Sequence, residues 1–224
     1  MDVIFIIVAL AITGLAQLIL NVKYSHYKKI EIDSGLTGKQ VAEKILKKYD
    51  LDDIAVKEVA GNLTDHYNNS DRSVNLSTDI YNGTSIASTA VAAHECGHAL
   101  QYKYGYVPIK IRNKIVPIVN LGNTIGYIAI VISLMASLTS LFWLGIILIS
   151  FAVVFQLVTL PCEFDASRRA NKVILEMKLI DKAEQKGTKS MLRAAAFTYI
   201  AGLFASILQI LRLVYIFTGS RRRD

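Results

Sequence analysis

Residues 115–162 carry no charged side chain, a run of 48 residues. A helix rises about 1.5 Å per residue and the hydrocarbon core of a bilayer is about 30 Å thick, so this run is too long for one crossing. It reads as two membrane spans, residues 116–137 and 141–160, with a turn at Ser137-Leu138-Thr139-Ser140. Two more charge-free runs, 3–22 and 194–211, also have the length and apolarity of membrane helices. A cleaved signal peptide is the poorer reading of the first, because Met1-Asp2 supplies no basic leader and no small-residue cleavage site follows. The expected fold is a mainly α integral membrane protein with about four transmembrane helices. Its segments are a first span (1–22), a polar region that can carry chemistry (23–115), a transmembrane hairpin (116–160), a helix leading into a basic region (161–193), and a last span with a basic tail (194–224).

The formal net charge of +7 would suggest nucleic acid on a soluble chain. Here Lys23, Lys28, Lys29, Lys110, Arg112, Lys114, Arg168 and Arg169 stand beside the spans, the distribution found on the cytoplasmic face of a bilayer. No nucleic-acid reading motif accompanies them, so the expected partner is lipid and not nucleic acid. The flank at 23–29 puts the amino end outside and the polar region inside. Arg221, Arg222 and Arg223 run against this pattern, since four crossings would place them outside. Either the last segment stops short of a full crossing or the larger loops set the orientation.

The polar region contains His94-Glu95-Cys96-Gly97-His98, an H-E-x-x-H pattern in a helical stretch. Residues four apart lie on one face of a helix, so both imidazoles can reach one Zn²⁺ at about 2.0–2.1 Å. Glu95 starts about 100° round the helix, within reach of a water at the metal's open position. Zinc lowers the pKa of water and a carboxylate can take the proton, which is the chemistry of metal-assisted peptide hydrolysis. Chance would place this pattern in about one such chain in 400; the alternative is an ordinary helix with two surface histidines. Cys96 and Cys162 lack C-x-x-C spacing and read as small buried residues.

A third ligand is available in Glu163, just beyond the hairpin. Two spans separate it from His98, and an even number of crossings returns the chain to the same side. Two His and one Glu with an open position form a catalytic zinc set. The alternative for Glu163 is a local pair with Ser167 or a nearby arginine. Asp165 is spaced to pair with Arg168 and Arg169, with support of the metal ligands as its other reading. His66 reads as a turn histidine, with ligand, oxyanion and substrate roles open.

The remaining elements follow from local signals. Thr37 can cap an amphipathic helix within residues 33–50. Residues 54–59 and 72–77 read as strands around the turn-forming Asn68-Asn69-Ser70-Asp71, giving a small hairpin or three-stranded sheet. An edge strand beside the motif helix could accept an extended peptide as a further strand. The motif helix is expected over about 84–103, stopped by Gly105 and Pro108, with Ala87, Ala90 and Ala93 on a closely packed face. Residues 106–114 read as a basic connector, and Pro161 as the first turn of a new helix. Asn120, Asn123 and Gln156 read as interhelical hydrogen-bonding groups.

Residues 91–101 (VAAHECGHALQ), 63–67 (LTDHY) and 160–170 (LPCEFDASRRA) together resemble the YugP-type neutral zinc metallopeptidases of bacterial membranes. The resemblance covers nearly the whole chain. It implies a zincin-like α+β catalytic region of the gluzincin kind binding one Zn²⁺ per chain, with His94, His98 and Glu163 as ligands and Glu95 as the catalytic carboxylate. It also implies a polypeptide substrate and a bacterial plasma membrane, where the basic flank at 23–29 puts the expected site on the cytoplasmic side. His66, Tyr67 and Arg168 are candidates for oxyanion or substrate contacts. More distantly the chain is similar to HtpX-like proteases, which place an Asp four residues after the ligand Glu. Ser167 stands at that position here, and Asp165 two residues after the Glu. The competing function is a non-proteolytic membrane protein with a structural or metal-sensing zinc site, which predicts a closing fourth ligand such as His66. The spans lack Asp, Glu, Lys and His, which argues against ion transport.

Overall fold

A computed structural model describes residues 2–220; Arg221, Arg222 and Arg223 lie outside them. Ten elements follow in order: α1 (Asp2–Tyr27), α2 (Gly38–Lys48), β1 (Ala55–Val59), β2 (His66–Asn68), β3 (Ser73–Ser77), α3 (Thr78–Asn82), α4 (Ile86–Lys103), α5 (Val107–Ala136), α6 (Thr139–Glu176) and α7 (Glu184–Ser220). Four of them, α1, α5, α6 and α7, are long and apolar enough to cross a membrane, and the protein is a mainly α membrane protein. The chain divides into two compact units. One holds α1 through Gln17, Val107–Pro161 and the described residues from Phe197 onward; the other holds Leu18–Tyr106 and Cys162–Ala196.

The first unit packs through small residues. Gly122 and Gly126, one turn apart on α5, face α6. A Cβ on Gly126 would come within 3.0 Å of the Gly145 carbonyl oxygen, and one on Gly145 within 2.8 Å of the Gly126 oxygen. Lipid tails are as apolar as the side chains, so helices in a bilayer associate by such close backbone contact. Phe142 and Phe217 stack at 3.8 Å in the buried cluster with Ile130, Ile146 and Ile149. Gln156 lies against Gly202, its Nε2 3.5 Å from where a Cβ would sit. Ser137, at φ +54°, makes the turn between α5 and α6.

Helix boundaries differ from the sequence reading near both Pro108 and Pro161. Residues 107–114 are not a connector but the first turns of α5, with Pro108 accommodated near its start. Pro161 does not begin a helix: α6 runs unbroken from Thr139 to Glu176 through it. Proline removes one N–H from the ladder, and the long helical segments on both sides carry the helix across the gap.

The second unit is a small α+β body. Thr37 caps α2 in a capping box, its hydroxyl accepting from Gln40 N while the Gln40 side chain accepts from Thr37 N. Val41, Ala42, Ile45 and Leu46 of α2 are buried against the core shared with α4. The sheet order is β1-β3-β2, with β1 parallel and β2 antiparallel to β3. All five residues of β3 are buried, as suits a central strand. Its partner β2 is an edge strand that packs on α4, where the Tyr67 ring meets Tyr102 at 5.6 Å between centroids. Ser85 caps α4 by accepting from Ser88 N. Ala87, Ala90 and Ala93 are buried on its packed face.

Candidate metal centre

Helix α4 presents His94, His98 and Gln101 along one side, since seven residues make nearly two whole turns. Glu95 sits one position round from His94. Helix α6 brings Glu163, Asp165 and Ser167 to the same place. The approach is close because residue 97 is glycine: a Cβ there would lie 2.6 Å from the Ala166 carbonyl oxygen.

The donor atoms converge. His94 Nε2 lies 3.2 Å and His98 Nε2 3.6 Å from Glu163 Oε2, and the rings stand nearly perpendicular with centroids 4.9 Å apart. One ligating atom from each of the three lies within 4.8 Å of the others, and this is the one such group among the described residues. Tetrahedral ligands at zinc distances are separated by about 3.3 Å, so the spacing fits that ion. The electrostatics fit it as well. Glu163 is 3% and Glu95 7% exposed, two acidic groups buried together. Burial pushes the Glu95 carboxyl above its usual range against the pull of His94 and His98. Burial resists charge on His98, but its bond to Glu163 and the field of both carboxylates outweigh this and raise its pKa. A divalent cation would answer the same negative charge.

Both histidines are held from behind. His94 Nδ1 is 3.2 Å from the Oγ of Ser167, four residues after Glu163. His98 Nδ1 is 3.0 Å from Gln101 Oε1. Gln101 is fully buried; its Nε2 donates to the Cys162 carbonyl at 2.7 Å and to Asp165 Oδ2 at 3.1 Å. Asp165 also accepts from Arg168 and from Arg169 Nε, the spacing expected of it, and the Arg169 guanidinium lies over the rings of Tyr104 and Tyr106. Sequence reasoning missed Gln101. The available signal was its place on the same face of α4 as His94 and His98, three residues past His98.

The other candidates are not among the three gathered residues. His66 is exposed, with Nδ1 2.8 Å from Thr64 O, and Tyr67 donates to Asn69 Oδ1 at 3.2 Å. Arg168 projects into solvent with 76% of its side chain exposed. Cys96 points the other way, its Sγ 3.7 Å from Ala42 O, and burial pushes its thiol pKa up. Cys162 is also buried.

The chain is similar to known sequences over nearly its whole length. A family described as "Putative neutral zinc metallopeptidase" matches residues 2–218. A protein of Bacillus subtilis (strain 168) named "Putative membrane protease YugP" is 41% identical over 220 residues, covering 97% of this chain and 98% of the relative. No solved structure matches. With two histidines and a glutamate gathered at one point, and a family match that spans nearly every residue, the chain belongs to this neutral zinc metallopeptidase family.

Proposed function

We propose that the protein is a membrane-embedded zinc endopeptidase that hydrolyses peptide bonds in membrane or membrane-adjacent polypeptides on the cytoplasmic side. The observation that carries this reading is the convergence of His94, His98 and Glu163, with buried Glu95 beside them. These three hold the metal in the proposal. When bound, zinc polarises the scissile carbonyl and lowers the pKa of water. Glu95 accepts a proton from the attacking water as the new C–O bond forms, then delivers it to the amine nitrogen as the C–N bond breaks. The free edge of β2 supports an extended-substrate mode, in which a peptide pairs as a further strand. Its closeness to α4 would hold that peptide near Glu95. Lys23, Lys28 and Lys29 after the first charge-free run support the cytoplasmic orientation.

The test is cleavage of casein or a model membrane substrate by wild type and Glu95→Gln, both in detergent. Wild type should cleave and the variant should lose at least about 100-fold, the usual worth of a general base. Equal cleavage by the two removes Glu95 from the chemistry.

A further inference from the structure

We propose that Gln101 is the positioning residue of the metal centre, holding His98 as the Nδ1–H tautomer with Nε2 turned to the ion; this rests on the zinc-peptidase reading. The Gln101 side chain ends in a primary amide. Its oxygen and nitrogen are nearly alike in shape, so its orientation has to come from its neighbours. On one side stand the Cys162 carbonyl at 2.7 Å and an Asp165 carboxylate oxygen at 3.1 Å. The carbonyl can only accept. Asp165 is in its charged, accepting form because it takes bonds from both Arg168 and Arg169. The NH₂ group must therefore face that side, and Oε1 must face His98.

An oxygen acceptor 3.0 Å from Nδ1 requires a proton on Nδ1. The neutral ring then has its lone pair on Nε2, the atom 3.6 Å from Glu163 Oε2. A chain of charge and hydrogen bonds thus runs from the two arginines through Asp165 and Gln101 to the imidazole. Because Cys162 and Asp165 belong to α6, the same amide ties the ring on α4 to the helix that carries Glu163. Ser167 cannot impose a tautomer on His94 this way, since a hydroxyl both donates and accepts.

The test uses the full chain in detergent, with Zn²⁺ and Co²⁺ as the probes. Gln101→Leu keeps the volume and removes the acceptor. Its zinc dissociation constant should rise 10- to 100-fold, the usual effect of losing such support, and the visible bands of the cobalt-loaded chain should shift. Gln101→Glu keeps an acceptor for His98 but sets a carboxylate against Asp165 and the carbonyl, so it should also bind weakly. Adding Asp165→Asn to Gln101→Glu returns a donor across that contact and should recover at least tenfold of the lost affinity, a rescue that simple packing would not produce. Independently, nitrogen NMR of the ¹⁵N-histidine-labelled, zinc-loaded wild type should show His98 protonated at Nδ1 and metal-bound at Nε2. His98 bound through Nδ1, or Gln101→Leu holding zinc within twofold of wild type with unchanged cobalt bands, overturns this inference alone. A wild-type chain that holds no zinc overturns the peptidase reading and this inference together.

Discussion

Gly97 is the position where one added methyl group should disable the centre without touching a ligand. In Gly97→Ala the new Cβ would lie 2.6 Å from the Ala166 oxygen, 3.1 Å from its carbonyl carbon and 3.2 Å from its Cα. All three are backbone atoms of α6 and cannot swing aside. Ordinary contact starts near 3.4 Å, so the two helices must part by about 0.8 Å. Ala166 and Glu163 are one turn apart on α6, and the retreat carries the carboxylate away from both imidazoles. Zinc sites tolerate departures of about 0.2 Å in ligand distance. A displacement near 1 Å typically costs about 100-fold in rate, or about 2.7 kcal/mol. The cost to folding should be smaller. Overpacking runs to about 1–3 kcal/mol, but alanine returns up to about 1 kcal/mol of helix propensity over glycine. Zinc affinity by chelator competition, casein cleavage and thermal unfolding of the metal-free chain separate these effects. Gly14→Ala is the control, since nothing lies within 4 Å of a Cβ there. A Gly97→Ala chain that binds zinc within threefold of wild type and cleaves at the wild-type rate would refute the close-approach argument.

Other perturbations test neighbouring parts of the structure. Ser167→Ala removes the hydroxyl 3.2 Å from His94 Nδ1; zinc affinity should fall about fivefold, the worth of about 1 kcal/mol, as read by chelator competition. Chelating the metal should lower the thermal stability of the chain, because an ion at 100 times its dissociation constant adds about 2.7 kcal/mol to the folded state; an unfolding curve unchanged by chelator counts against a folded, ligand-complete site. Gly126→Leu should loosen the α5–α6 pair, where a Cβ already meets Gly145 O at 3.0 Å, costing about 1–3 kcal/mol in detergent unfolding while leaving the motif helix intact. Asp65 accepts from Ser77 N and Ser77 Oγ, and burial raises its pKa above the ordinary 3.8. A carboxyl with a raised folded-state pKa holds its proton more tightly when folded, so its contribution is present below 3.8 and is lost as pH climbs through the raised value. Asp65→Asn should therefore be more stable than wild type at neutral pH, with the gap closing on acidification, in melts taken from pH 4 to 8.

The fold was legible wherever one local rule decides. A bilayer excludes charge, so 48 uncharged residues had to be membrane helices. Thr37 carries the capping chemistry that starts α2. Legibility failed where distant parts compete with a local rule. Pro161 reads as a helix start, yet removing one N–H does not outweigh a helix of 38 residues. The strand segments could be read from composition, but not the parallel β1–β3 pairing, which depends on how the chain returns after β2.

The centre divides along the same line. His94 and His98 are paired by a helical repeat, visible in five letters. Gln101 lies on the same face, but its meaning comes from Cys162 and Asp165 on another helix, so it looks like any polar residue. An Asp in place of Ser167 would set a third carboxylate directly against the His94 imidazole, in a site already holding Glu95 and Glu163 buried. Here the third carboxylate is Asp165, set back behind a neutral amide and balanced by Arg168 and Arg169. Its polarity still reaches His98 through Gln101, while its charge is spent on the arginines. Buried charge is costly unless paired, and this arrangement pairs it away from the metal while keeping the histidine oriented. The supporting residue must then be an amide: a hydroxyl leaves the tautomer open, and a carboxylate repels Asp165.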